Sequence, residues 1–387
     1  MRKRPYLAFL IFNGVFFMMD TMASYFSIYL NQLGFTKTMI GTITAVSGFS
    51  AMLLQPVGGV WVDRSASRRR TLQGLILITA VLYPLLLLNT SFIYILCLYS
   101  IYFIFRRMQP AICTAMTVEY AEENRRDYGP IRMMGAVGYT LMMSLVSLVA
   151  GTENGVPKTF ALYSAVCAGN ILLLFLLPSM PGHNRARDGQ RRVSPFVLLR
   201  NRGVLLLLLY HVLLSVANGL GQTFFPIFVT DDMGADQTLF GLMVSVGSLL
   251  EIPFLFLADR MIRRFGTRWT LSLLGLLTAV RWGNAWLAAS TGQLFITQGF
   301  NFVNILEGVS VTLLISRQVQ PEVKTTSLAV VAMIQGVVGA LISSVLGGVL
   351  ADTFGIRLLF LLSAAVALGT GILFFTLPQF RRREPTF

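Results

Sequence analysis

Charge is scarce in this chain: only 12% of its 387 residues are Asp, Glu, Lys or Arg, about half the share usual in a soluble globular protein. So few charges cannot clothe a water-facing surface, and 55% of the residues are hydrophobic, with a mean hydropathy of +0.69. Soluble enzymes and nucleic-acid binders are excluded on that ground. Cysteine is scarcer still. Cys97, Cys113 and Cys167 lie inside apolar runs, without metal-ligand spacing, so neither a disulfide framework nor a metal site is expected. No Walker loop occurs, which excludes a self-contained ATP-driven pump. A polytopic membrane enzyme stays a remote alternative, but the metal-ligand set or nucleophile–base constellation it would need is not evident. The chain is read as neither an enzyme nor a cofactor binder.

What is present is a succession of apolar stretches long enough to cross a bilayer. At 1.5 Å per residue about 20 residues span the hydrocarbon core, and twelve stretches fit: 6–30, 38–62, 71–88, 92–119, 132–150, 159–178, 203–229, 238–258, 270–289, 292–316, 325–350 and 356–377. Alternating barrel strands are absent, so all twelve are expected to be helices, which satisfy every backbone group in lipid. The first follows Arg2-Lys3-Arg4 like a signal peptide, yet it is too long for one and contains Asp20, with no convincing cleavage site before Asn31. It is read as span 1. The fold class is all-α, a polytopic membrane protein.

The excess of base over acid, 31 Lys and Arg against 17 Asp and Glu, is a topology signal. Of the 31, 25 fall on one set of alternate connections, three (Lys37, Lys158 and Arg357) on the other, and three (Arg106, Arg107 and Arg281) inside apolar spans. Basic loops resist translocation, so both termini are expected to be cytoplasmic, in a cytoplasmic (inner) membrane, with lipid as the surrounding partner and nucleic acid excluded. The longest polar connection, 181–202, follows six spans and precedes six. It divides the chain into an N-terminal six-helix bundle (1–180), a cytoplasmic linker and a C-terminal six-helix bundle (203–387). The halves echo one another: Gly58-Gly59-Val60-Trp61-Val62-Asp63 ends span 2, and Gly347-Gly348-Val349-Leu350-Ala351-Asp352 ends span 11. Such repeats mark transporters that rock one bundle against the other around a midplane site.

With these residues the chain resembles the major facilitator superfamily. Gly59, Asp63-Arg64 and Arg68-Arg69 match its signature loop, with Ala66 where the motif usually has Gly. The fragments 49–56 (FSAMLLQP) and 128–135 (YGPIRMMG), with Glu251-Ile252-Pro253 and Ala279-Val280-Arg281, are similar to the lactose-permease-like branch, which includes nucleoside and phenylpropionate proton symporters. The resemblance implies alternating access, a path lined by spans 1, 4, 7 and 10, and a gating role for Gly59, Asp63, Arg64, Arg68 and Arg69. It also points to Glu119 and Arg132, which resemble a galactoside-binding pair at the cytoplasmic ends of spans 4 and 5; here a surface or gating ion pair is the preferred reading. Small residues such as Gly41 and Ala45, or Ser344 and Gly348, have the spacing for close helix packing.

Six ionisable residues lie deep in the spans: Asp20, Arg106, Arg107, Glu251, Arg281 and Glu307. Each costs at least about 2.5 kcal/mol to insert, and three of each sign make a neutral set able to pair around a shared aqueous cavity. Asp20 lies about 21 Å along span 1 from the cytoplasmic side, and Arg106 about 19 Å along span 4. The levels agree. Arg keeps its proton, so Arg106 or Arg107 needs a counterion or an anionic ligand, and adjacent helical residues point about 100° apart, so one of them should line the cavity. Asp20, Arg106 and Arg107, with the amides Asn218, Gln222, Asn301 and Asn304, form the expected substrate set.

Glu307, Glu251 and Arg281 form the expected proton-coupling set. By resemblance, Arg281 matches the branch's span 9 Arg, Asn301 and Asn304 stand where its His and Glu would be, and Glu307 lies one turn beyond. His211 on span 7 reads as a buried, hydrogen-bonded histidine, and Trp282 as packing. The expected function is secondary active transport of a small polar or anionic organic solute, a sugar, nucleoside or carboxylate, by a monomer with proton symport. A proton-driven exporter is the alternative, disfavoured because span 5 lacks the Gly-Pro-rich antiporter signature.

Overall fold

The computed structural model describes residues 3–63, 65, 67–178, 201–254, 257–319 and 339–377. The linker, Arg64 and the first half of span 11 lie outside these, as do the side chains of Gly59 and Asp63. Among the described residues there is no strand. The helices are α1 (Lys3–Met18), α2 (Ala23–Gln32), α3 (Lys37–Asp63), α4 (Arg68–Leu85), α5 (Phe92–Glu123), α6 (Tyr128–Ala150), α7 (Gly155–Leu176), α8 (Arg202–Ile227, ending in a π turn, Phe228–Asp232), α9 (Gln237–Phe254), α10 (Leu257–Trp286), α11 (Thr291–Gly299), α12 (Phe302–Gln318), α13 (Gly339–Phe354) and α14 (Ile356–Thr376). Because α1 with α2 and α11 with α12 are broken spans, they amount to the twelve membrane crossings expected. Seven of these crossings are long and apolar enough by length and composition alone; α4, α5 and α10 carry arginines, and α9 and α13 are shorter.

Three local features depart from uninterrupted spans. Between α1 and α2 the hydrogen bonds tighten from i→i−4 to i→i−3, as Asp20 N–H to Phe17 C=O (3.2 Å) and Thr21 N–H to Met18 C=O (3.3 Å), the 3₁₀ pattern that marks a helix discontinuity. The same tightening separates α11 from α12, where Asn301 N–H donates to Gln298 C=O at 2.9 Å. The third is in α10, which begins at Leu257, before the expected span, and is interrupted at Gly266 (φ 76°), a conformation that favours glycine.

The chain forms two compact units. The first comprises Met1–Phe35, Val46–Asp188 and Gly234–Ser245. Its main seams are α1 on α6, and α4 on α5 and α7. A Cβ on Gly138 would stand 2.1 Å from the Gly14 carbonyl oxygen, so only glycine lets α6 approach α1 this closely. That seam fixes the helix that leads into Asp20. Tyr83, Tyr99, Tyr102, Tyr163, Phe26 and Phe160 pack as one aromatic cluster between α2, α4, α5 and α7.

The second unit comprises Thr36–Ala45, Gly189–Met233 and Val246–Phe387. Its principal seam sets α10 on α14, where a Cβ on Gly275 would lie 2.7 Å from the Gly371 Cα. Trp282 is fully buried over Gly221, whose Cβ would meet the indole at 2.5 Å, and its Nε1 donates to Asn218 Oδ1 at 3.0 Å. Thr36–Ala45 joins this unit because Gly41 faces the Ser344 carbonyl, at 2.0 Å from where its Cβ would be, and because Asp352 caps α3. The backbone N–H groups of Lys37 and Thr38 each donate to the Asp352 carboxylate at 2.8 Å, satisfying orphan donors at a helix N-terminus.

Candidate functional site

In the first unit the break after α1 carries Asp20 to the level of Arg106 on α5, and Arg106 Nη2 meets Asp20 Oδ1 at 2.5 Å. Arg106 is only 5% exposed. Its Nη1 donates to Gln109 Oε1 at 3.2 Å, Gln109 Nε2 in turn donates to the Leu75 carbonyl and to Thr79 Oγ1, and the guanidinium stands 5.2 Å from the Phe16 ring centroid. Two bonded neighbours and an aromatic face make Arg106 a fixed cation. The Asp20 side chain keeps 41% exposure, so its carboxylate also presents a surface to solvent.

Arg107 is the other arginine and behaves differently. It is exposed, lies over the Phe103 ring at 4.8 Å, and is close enough to Asp20 and Tyr99 for their charges to interact. One Asp and two Arg leave this cluster with a single net positive charge. Arg107 is the exposed member of the two.

In the second unit the polar residues form two groups. Asn301, at the α11–α12 break, donates through Nδ2 to Glu251 Oε1 and accepts from Asn304 Nδ2 at 3.0 Å. Arg281, fully buried, donates through Nη2 to Gln222 Oε1 at 2.9 Å and stacks on its neighbour Trp282. Its Nε and Nη1 have no hydrogen-bond partner among the described residues. Glu251 is half-buried and within electrostatic reach of Arg281. Glu307 is elsewhere: 4% exposed, its Oε1 lies 2.8 Å from His211 Nδ1.

Of the six deep charges, Asp20 and Arg106 are in direct contact. Glu307 is turned toward α8, about 120° around α12 from Asn301 by helical geometry, and meets a histidine instead of an arginine. At the cytoplasmic-motif end, Glu119 is bonded to Arg68 at 2.5 Å, while Arg132 stacks on Phe17 at 4.3 Å. Arg68, buried and the first residue of α4, is thus one partner of Glu119 on α5. Arg69 donates to the Leu177 carbonyl at 2.8 Å, so both motif arginines tie the start of α4 to the ends of neighbouring helices. No group of three or more His, Cys, Asp or Glu among the described residues is placed to hold a metal.

The sequence reading missed His211 as the partner of Glu307, and it missed both helix breaks. His211 was findable by the depth argument that pairs Asp20 with Arg106. The breaks matter because discontinuous helices at midplane are where transporters of this architecture hold substrate and ions, and Asp20 and Asn301 sit at them.

Broken spans and buried charges are features of membrane transporters. The model of the MFS_1 like family matches residues 7–362, and the chain belongs to that family. It is similar to a maltose permease of Geobacillus stearothermophilus, 25% identical over 90% of this chain and 88% of that one, and to a xanthosine permease of Escherichia coli, 21% identical over 92% and 90%. Its fold is that of a mutant form of nucleoside transporter NupG, with a TM-score of 0.86 at 15% identity, covering 95% of this chain and 98% of the other.

Proposed function

We propose that this protein carries a small polar or anionic organic solute, a sugar, nucleoside or carboxylate, across the cytoplasmic membrane by alternating access, with proton symport. It works as a monomer of two six-helix bundles, 1–180 and 203–387, joined by a cytoplasmic linker, with both termini cytoplasmic. The observation that carries the reading is the asymmetry of the two adjacent arginines. Arg106 is paired with Asp20 and clamped by Gln109, whereas Arg107, within reach of the same carboxylate, is exposed at mid-span. A protein retains such a charge in a membrane span when a ligand uses it.

Asn218, Gln222, Asn301 and Asn304 supply the donors and acceptors that a hydroxylated or heterocyclic solute requires. Gating falls to the motif residues Gly59, Asp63, Arg64, Arg68 and Arg69, with Glu119 and Arg132. The proton belongs to Glu307 and Glu251, with Arg281 as the cation that responds to their charge. The names of the relatives, permeases for maltose and xanthosine, support a polar solute.

The test is uptake of radiolabelled maltose, lactose, uridine, xanthosine, gluconate and 3-phenylpropionate into proteoliposomes, with and without an imposed pH gradient. At least one probe is expected to accumulate only with the inside alkaline, and Arg107→Gln is expected to lower that uptake at least tenfold. Unchanged uptake in Arg107→Gln refutes the site; accumulation under the opposite gradient assigns export.

A further inference from the structure

We propose that the groove between α10 and α14 binds one anionic phospholipid, with an acyl chain laid along the groove and the headgroup phosphate on Arg268. The site is independent of the solute carried and adds a second class of ligand.

Two matching stripes make the groove. Trp269, Leu273 and Leu276 on α10 face Leu368, Ile372 and Phe375 on α14, each set spaced as one face of a helix. Gly371 leaves no side chain between these walls and lets α14 approach Gly275 on α10 closely. The concavity encloses about 270 Å³ and runs about 10 Å along both helices. Its walls are turned outward: Trp269 is 58% exposed and Ile372 57%. Exposed apolar side chains on a membrane span face lipid.

Apolarity alone selects no particular lipid, but this groove has a charged end. Arg268, at the rim beside Trp269, is held by Phe375: its Nε donates to the Phe375 carbonyl at 2.5 Å, and its guanidinium stands 3.8 Å from that ring's centroid. Trp269 packs edge-on against the same ring at 4.8 Å. Among the described residues, Nη1 and Nη2 of Arg268 have no hydrogen-bond partner. They present a planar fork in a fixed position, the geometry that takes two oxygens of a phosphate.

Ser272 is the other polar group lining the groove, and its hydroxyl has no hydrogen-bond partner among the described residues. It lies one turn beyond Arg268, about 6 Å deeper along α10. In a glycerophospholipid the ester carbonyls follow the phosphate inward in the same order, and a serine hydroxyl can donate to one of them.

The sign of the headgroup follows from the neighbouring charge. Residues 257–272 contain four arginines and one aspartate, and Arg260, Arg263 and Arg264 are exposed just before the Gly266 break. A zwitterionic headgroup would bring its amine into that positive field, whereas an anionic one brings negative charge alone. A basic pocket between spans, with a tryptophan at headgroup level, suits such a lipid. In the topology proposed above, it belongs to the cytoplasmic leaflet.

The test uses the full-length protein in phosphatidylcholine vesicles, a minor fraction of whose lipid carries brominated acyl chains, which quench tryptophan on contact. The chain has 4 Trp, so each sample is measured with and without Trp269→Phe, and the difference reports Trp269. Brominated phosphatidylglycerol is expected to quench Trp269 at least fivefold more per mole than brominated phosphatidylcholine. In Arg268→Gln that ratio should fall to about one, while Arg268→Lys, which keeps the charge and loses the fork, should hold an intermediate value. A measurement that needs no variant is salt: going from about 0.1 M to about 1 M shortens the screening length from about 10 Å to about 3 Å and should lower the wild-type ratio at least twofold.

Equal quenching by the two lipids in wild type, or a ratio unmoved by Arg268→Gln or by salt, overturns the proposal and leaves ordinary boundary lipid in the groove. Trp269 shielded from both lipids, with the reconstituted protein cross-linking at twice the monomer mass, overturns it in favour of a second copy of the chain covering this face.

Discussion

Replacing Asp20 by Asn tests whether the Asp20–Arg106 contact is an ion pair that the fold depends on. The substitution keeps size and one acceptor but removes the charge facing a guanidinium that is 5% exposed. Two unit charges about 4 Å apart attract by about 4 kcal/mol at the effective dielectric appropriate to proteins. Asp20 retains 41% side-chain exposure, so solvent screening roughly halves that, to about 2 kcal/mol of coupling. Asp20→Asn alone should then cost about 2–3 kcal/mol, because Arg106 keeps only Gln109 and the Phe16 ring. Arg106→Gln should cost a similar amount. The double variant should be less destabilised than the sum by about 2 kcal/mol. Reversible unfolding by SDS in mixed micelles, followed by circular dichroism, gives the four free energies of the cycle. Additivity within about 0.5 kcal/mol would show that the two charges are independently solvated and would remove the electrostatic account of why Arg107, and not Arg106, is open to a ligand.

Arg107→Gln should change unfolding free energy by no more than about 0.5 kcal/mol in the same assay while abolishing uptake; a loss of stability like that of Arg106→Gln would make it a structural residue. Gly138→Val should drive α6 from α1 and cost upwards of about 3 kcal/mol, whereas Gly169→Val, with nothing within 4 Å of its Cβ, should be tolerated; comparable expression and melting of the two would refute the seam. Asp352→Ala removes the acceptor of two backbone N–H groups and should destabilise by about 1–2 kcal/mol, with Asp352→Asn intermediate; hydrogen exchange at Lys37 and Thr38 reports the loss directly.

The spans were legible because lipid leaves the backbone so little choice that apolar length nearly determines helix. Depth was legible for the same reason: a fixed rise per residue and a known direction set Asp20 at the level of Arg106 and Arg107 from counting alone. That count applies equally to His211 and Glu307, whose juxtaposition was overlooked because histidine was weighed as a residue and not as a partner. The helix breaks could not be read. Met18 to Met22 contains neither Pro nor Gly to announce the interruption there. Gly299 gave some warning of the second. The capture of Glu119 by Arg68 also depended on how closely α4 and α5 pack, which no periodicity encodes.

The interruptions at Asp20 and Asn301 give each of these crossings a lever arm. The piece beyond the first, α2, is ten residues long, about 15 Å. A swivel of about ten degrees at the 3₁₀ turn would carry its far tip about 3 Å, while α1 stays anchored by Gly14 and Gly138. A solute bound at either pivot would touch the moving piece where the torque is smallest and the displacement it could trigger greatest.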